Sequence, residues 1–272
     1  MIVVVPALLL ATLIHLLWNT MLKASGDPLR LATRAVAAGT ALCSPLLAIV
    51  WWFDGRPGFP EEVWLLVSFS ALVEVAYFVS LSRAYRLGDL SAVYPLARGT
   101  APLLAAAAGV LILHEQLRAV QAVGVVCLLV GILIIRRPTG AGAATIPAVI
   151  VGVTITTYST IDAAGVRLVA PWLYGWVLWS LVAVVLALWG LQPHEDGARA
   201  STAIPSWRLS MGVGCLMLLA YWCVLFALRL TPLSVVAPLW GAWRLGERVG
   251  LTIRVAGAGV IALGAVLLTA GA

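Results

Sequence analysis

Four ionisable side chains, His15, Glu74, Arg98 and Asp162, lie inside runs that are otherwise apolar. At membrane depth a charge costs at least about 2.5–3.5 kcal/mol, so such groups face protein or water and mark solute paths or proton relays. Each has company at helical spacing. His15, Trp18 and Asn19 stand at i, i+3 and i+4, on one helical face. Glu74 shares a face with Ser70 and Tyr77, while Tyr94 pairs with Arg98, and Tyr158 with Asp162, each at i, i+4. Tyr221, followed by Trp222, holds the place in the second half that Tyr77-Phe78 holds in the first. These ten residues, His15, Trp18, Asn19, Glu74, Tyr77, Tyr94, Arg98, Tyr158, Asp162 and Tyr221, are the expected lining of a central cavity. Aromatic walls with a few charges suit an amphipathic organic solute, and a ring face can also hold a cation.

Glu74 is the candidate for proton coupling, because it is the carboxylate closest to a span centre. Desolvation there favours the neutral form, so the group can take a proton from one side and release it to the other. Glu74→Gln is then expected to stop pH-driven transport while sparing solute binding. Arg98 on the next span competes with that reading, since a close cation would hold Glu74 ionised in a buried structural pair. Plainer readings stand beside the others. Trp18 and many of the 12 tryptophans suit interfacial anchors. His15 can bond a neighbouring helix. Asp162 lies nearer a span end, where a solvated cap is an alternative. Glu115 and Glu247 read as structural residues at helix ends.

The elements that must position these residues are membrane spans. Hydrophobic residues make up 62% of the chain, charged residues only 10%, and the mean hydropathy is +1.06. A soluble domain carries about 25% charged residues, so the bilayer must be the solvent for much of this chain. A crossing needs about 20 apolar residues. Such runs fall near 2–22, 33–53, 63–83, 91–113, 119–135, 145–168, 170–190, 209–230 and 251–271, with a shorter one at 231–245. The runs are continuous, which excludes the alternating segments of a barrel. The N-terminal run continues past the length of a cleaved leader without a basic start, and so reads as a first span. The expected architecture is an all-α, multi-pass membrane bundle of about ten helices in two five-helix units, 1–139 and 140–272.

The charge of +6 is spread in ones and twos between apolar runs, as topology signals and not as a nucleic-acid surface. The loops after the odd-numbered spans hold Lys23, Arg30, Arg34, Arg83, Arg86, Arg136, Arg137, Arg199, Arg208, Arg244, Arg248 and Arg254, against Arg56, Arg118, Arg167 and Arg229 on the other side. That count of 12 to 4 puts the odd loops in the cytoplasm and both termini outside. The four cysteines all lie in apolar runs and form no CxxC or Cys/His cluster, so no metal site is expected. No HExxH, GxSxG or nucleotide-binding motif is present, which argues against an enzyme, a cofactor or an ATP-driven pump.

An internal repeat runs through the chain. Arg86-Leu87-Gly88-Asp89-Leu90-Ser91-Ala92-Val93-Tyr94-Pro95-Leu96 is echoed by Arg229-Leu230-Thr231-Pro232-Leu233-Ser234-Val235-Val236-Ala237-Pro238-Leu239, and Leu113-His114-Glu115 by Leu245-Gly246-Glu247. Five spans per unit is an odd number, so the second copy inserts upside down, as in secondary transporters. The copies differ at one place. Pro95 to Glu115 is 20 residues and Pro238 to Glu247 only 9, so about 11 residues are missing from the ninth span. That span is too short to cross comfortably.

These pieces resemble the drug/metabolite transporter superfamily, EamA type. The matching segments are His15-Leu16-Leu17-Trp18-Asn19 with Lys23, Ala84-Tyr85-Arg86-Leu87-Gly88-Asp89 leading to Tyr94-Pro95-Leu96-Ala97-Arg98, Tyr158 to Arg167, Thr231 to Leu239, and Leu245-Gly246-Glu247-Arg248. The resemblance covers essentially the whole chain. It implies ten helices, alternating access around a central cavity, and export of metabolites or drugs across the cell (plasma or inner) membrane. The expected partners are a small-molecule solute, the lipid bilayer and protons as coupling ion, with a homodimer compatible. The shortened ninth span departs from the family, which leaves a transport-incompetent paralogue or a membrane subunit as the alternative and an intramembrane enzyme as the remoter one.

Overall fold

In the computed structural model, the apolar runs that it describes are helices. It describes residues 3–88, 90–135, 142–190 and 205–242, together with 263, 264 and 267. Among these are nine α-helices, one 3-10 turn and no strand. They are α1 (Val4–Ala24), α2 (Pro28–Phe53), α3 (Glu61–Leu87), α4 (Leu90–Leu111), α5 (Ala119–Ile135), α6 (Thr145–Leu168), α7 (Pro171–Gly190), α8 (Trp207–Leu230) and α9 (Leu233–Ala242). Six stretches are long and apolar enough to cross a membrane: α1, α2, α3, Gly142–Leu168, Pro171–Trp189 and α8. The chain is thus a multi-pass, all-helical membrane protein.

Local chemistry sets the boundaries. α2 starts five residues before its apolar run, because Asp27 accepts a hydrogen bond from Arg30 N (3.1 Å) as N-cap and Pro28 occupies the first turn. Ser206 caps α8 through Leu209 N (3.3 Å). Glu61 and Glu62 in the first turn of α3 and Arg86 in its last complement the helix dipole. The turn from α2 to α3 reverses at Gly55 and Arg56, both at positive φ. α9 is described over the 10 residues Leu233–Ala242, and the last three residues of the run at 231–245 lie outside the described residues. The expected tenth span, the boundary between the proposed halves and Glu247 lie outside the described residues, apart from three helical positions near the C-terminus.

The helices pack by lateral contact of small residues, as membrane helices do in the absence of a hydrophobic drive between them. α3 lies along α6 and α7, α4 along α6 and α9, and α1 and α2 along α8. The α2–α8 crossing is made by Gly39 and Gly214. A Cβ on Gly39 would fall 2.6 Å from the Gly214 carbonyl carbon, so a methyl would force the two backbones apart. Gly165 on α6 leaves room for the ring of Tyr174 on α7 in the same way. Large aliphatic side chains such as Leu13, Leu65 and Ile146 are more than two-thirds exposed, the surface that lipid covers.

Candidate functional site

Asp162 organises the buried polar centre. Its Oδ1 accepts hydrogen bonds from Ser70 Oγ (2.6 Å) on α3 and from Tyr174 OH (2.9 Å) on α7, and its Oδ2 from Tyr221 OH (2.5 Å) on α8. Four helices therefore converge on one carboxylate that is 1% exposed. The cap reading for Asp162 is replaced by a fully enclosed network. The spacing Ser70, Glu74, Tyr77 turns all three from α3 toward α6, and all three are buried.

Glu74 is 3% exposed, and Asp162 stands close enough for their charges to interact. Its Oε2 is buried and makes no hydrogen bond. Around the carboxyls runs a connected aromatic wall. Tyr77 meets Tyr158 edge-on at 5.8 Å between ring centroids, Tyr158 lies 6.5 Å from Tyr221, and Tyr221 lies 5.7 Å from Trp179. Phe78 extends it by an edge contact to Tyr77 at 5.0 Å. Such spacings are favourable offset and edge geometries.

Five of the ten sequence-derived residues, Glu74, Tyr77, Tyr158, Asp162 and Tyr221, thus come together. Three more of the ten, His15, Trp18 and Asn19, share α1, which packs along α8. His15 bonds the Ala11 carbonyl through Nδ1 (2.6 Å) and meets the Trp18 ring at a tilt, with 5.5 Å between centroids. Trp18 is 3% exposed, which puts it inside the protein and away from an interfacial anchor position. Asn19 donates to the His15 carbonyl (2.7 Å) and accepts from Tyr85 OH (2.8 Å), and Lys23 donates to the carbonyls of Tyr85 and Gly88. This group ties the end of α1 to the end of α3. Tyr94 and Arg98 belong to α4, but their side chains lie outside the described residues.

Sequence reasoning missed Tyr174 and Trp179. Both stand in the Trp-rich run of α7, where an aromatic residue has no polar neighbour at helical spacing and looks like an anchor. Gly165, three residues after Asp162, is the signal that a ring approaches there.

A second polar cluster lies between the two sequence units. The Glu115 side chain is 3% exposed and takes four hydrogen bonds: Oε1 from Leu233 N (2.7 Å) and Arg167 Nη2 (3.0 Å), Oε2 from Ser234 N (2.9 Å) and Ser234 Oγ (2.7 Å). It caps the N-terminus of α9, where unpaired N–H groups and the helix dipole favour an anion. His114 before it sits at φ 51°, a left-handed turn that aims the carboxylate. Gly109 leaves it room, since a Cβ there would lie 2.5 Å from Oε2. Glu115→Ala leaves at least two backbone donors and a hydroxyl unpaired, at about 1–3 kcal/mol for each buried group. The expected loss is at least about 3 kcal/mol of stability, read as a lower unfolding midpoint of the purified protein in detergent. An unchanged midpoint would mean that water replaces the carboxylate.

Among known proteins, residues 2–137 match the family model of the EamA-like transporter family. A solved crystal structure, described only as that of a protein, superposes with a TM-score of 0.59 at 18% identity, over 98% of this chain and 96% of its own. At that identity the likeness carries the fold and nothing about a solute. No curated protein sequence matches the chain.

Proposed function

This chain belongs to the EamA-like transporter family, and from that premise we propose that it exports small amphipathic organic solutes by alternating access, with Glu74 as the proton-carrying group. Its family comprises membrane transporters and not enzymes, so the polar centre reads as a solute site. The observation that carries the reading is the enclosed pair of carboxyls: Asp162 saturated by three hydroxyls, Glu74 with a free oxygen, and an aromatic wall beside them. A charged pair held inside apolar spans has a functional role by default.

Helix pairing supports the inverted repeat. Exchanging α1–α4 for α6–α9 carries the α3–α6 contact onto α8–α1 and the α2–α8 contact onto α7–α3, and both partners of each exchange are in contact. α2 with α7, and α4 with α9, map onto themselves and also touch. A site between such halves can be opened to each side in turn.

The test is flux in vesicles. Purified protein, reconstituted with an imposed pH gradient, is expected to move at least one member of a panel of amphipathic amines, acids and neutral solutes. No flux of any solute by folded protein would favour the second reading, a transport-incompetent paralogue, to which the 9 residues from Pro238 to Glu247, against 20 from Pro95 to Glu115, point. The plasma or inner membrane is the proposed location, with odd-numbered loops in the cytoplasm. A reporter that works only in the cytoplasm, fused after Arg137, is therefore expected to be active. Silence there would reverse the orientation.

A further inference from the structure

We propose that the solute site takes an organic ammonium group, with Glu74 as its counter-ion and the Tyr77–Tyr158–Tyr221–Trp179 wall as the seat of its apolar body. The proposal rests on the transporter reading and names its substrate class.

The two carboxyls differ in what they have left to offer. Asp162 already accepts three hydrogen bonds, near the capacity of a carboxylate. Its role is to hold Ser70, Tyr174 and Tyr221 in place. Glu74 is equally enclosed, yet its Oε2 has no donor. A buried acceptor without a partner costs about 1–3 kcal/mol, and of the buried side-chain atoms without a partner among the described residues Glu74 Oε2 is the carboxylate oxygen. The missing group is a donor. Where Asp162 is ionised beside it, the site favours a donor that carries positive charge and opposes any anionic solute.

The rings select among cations. A weakly hydrated alkylammonium gains from aromatic faces within about 6 Å and buries its carbon body against them at about 25 cal/mol per Å². An alkali ion has no apolar body to bury. A neutral alcohol of the same shape can donate a hydrogen bond, but it leaves the negative charge uncompensated. The proposal differs from the sequence-based expectation in one respect: for a cationic solute, Glu74→Gln removes binding as well as proton coupling.

The experiment titrates the purified detergent-solubilised protein with benzylammonium, with benzyl alcohol and with sodium chloride, in mildly alkaline buffer at matched ionic strength. Binding is followed by calorimetry and by tryptophan fluorescence, since Trp179 abuts Tyr221. Benzylammonium is expected to bind saturably, at least about ten-fold more tightly than benzyl alcohol, and to lose at least about ten-fold in affinity in Glu74→Gln. Glu74→Asp keeps the charge one methylene further back, and is expected to keep the preference for the ammonium with weaker binding. It decides the matter where the Gln variant fails to fold. Equal affinity for the alcohol, a Glu74-dependent response to sodium in place of the ammonium, undiminished affinity in both variants, or no saturable binding of benzylammonium would each overturn the proposal. Gradient-driven flux of a neutral solute in vesicles would leave the transporter reading standing while this one fell.

Discussion

Asp162→Ala is expected to abolish transport and to remove about 3–5 kcal/mol of stability, the largest effect of any single change at the centre. Three hydroxyls, from Ser70, Tyr174 and Tyr221, turn to this carboxylate from three different helices. Alanine removes the acceptor they share, at about 1–3 kcal/mol for each hydroxyl left unpaired, less where Tyr221 turns to Glu74 or Tyr174 to Ser70, and the helices lose the point on which they converge. Asp162→Asn separates fold from function. Its amide oxygen still accepts two hydroxyls, and the third can reverse its role and accept from the amide. Asn is therefore expected to stay folded, with an unfolding midpoint close to that of the parent, while vesicle flux falls by about ten-fold or more as the field beside Glu74 changes. Normal flux in the Asn variant would show that the charge at this position is structural. Tyr221→Phe, which removes one donor of the three, should cost about 1 kcal/mol.

Glu74→Gln is expected to end pH-driven accumulation altogether. A proton carried down a gradient of one pH unit supplies about 1.4 kcal/mol, enough for about ten-fold accumulation of solute. Glutamine fills the same volume and keeps an acceptor oxygen, but it exchanges no proton. The vesicle assay reads the result directly: parent protein accumulates solute under the gradient, and the variant at equal protein level brings it no higher inside than outside. Undiminished accumulation would remove Glu74 from coupling. Loss of the folded protein would instead assign the residue to the structural core, as the sequence-based pairing with Arg98 supposes. Among the described residues, Asp162, Tyr221 and Tyr174 act on Glu74, while the side chain of Arg98 lies outside the described residues.

Hydropathy alone determined that the chain is a membrane bundle, and also the place of the six helices long and apolar enough to span. A lipid-facing helix must be apolar along about 20 residues regardless of its neighbours, so that requirement is written locally. Periodicity likewise brought Ser70, Glu74 and Tyr77 to one face and Tyr158 to that of Asp162, because a helix of known pitch turns residues at i+3 and i+4 the same way. The start of α2 was misplaced by five residues, since Asp27 and Pro28 extend the helix beyond its apolar run. Which faces meet could be decided only by the tertiary structure. Nothing local says that Tyr174 and Trp179, two aromatics in a run of anchors, reach the carboxyl of Asp162 and the ring of Tyr221. Nothing local says that Asn19, on a face shared with His15, is held by Tyr85 on another helix. Glu115 reads as a helix-end residue in the sequence, and becomes the cap of α9, 118 residues away, only when the two units are brought together. Spans are dictated by the solvent they cross, whereas a site between them depends on contacts among helices far apart in the chain, and such pairings leave no periodic trace in either helix.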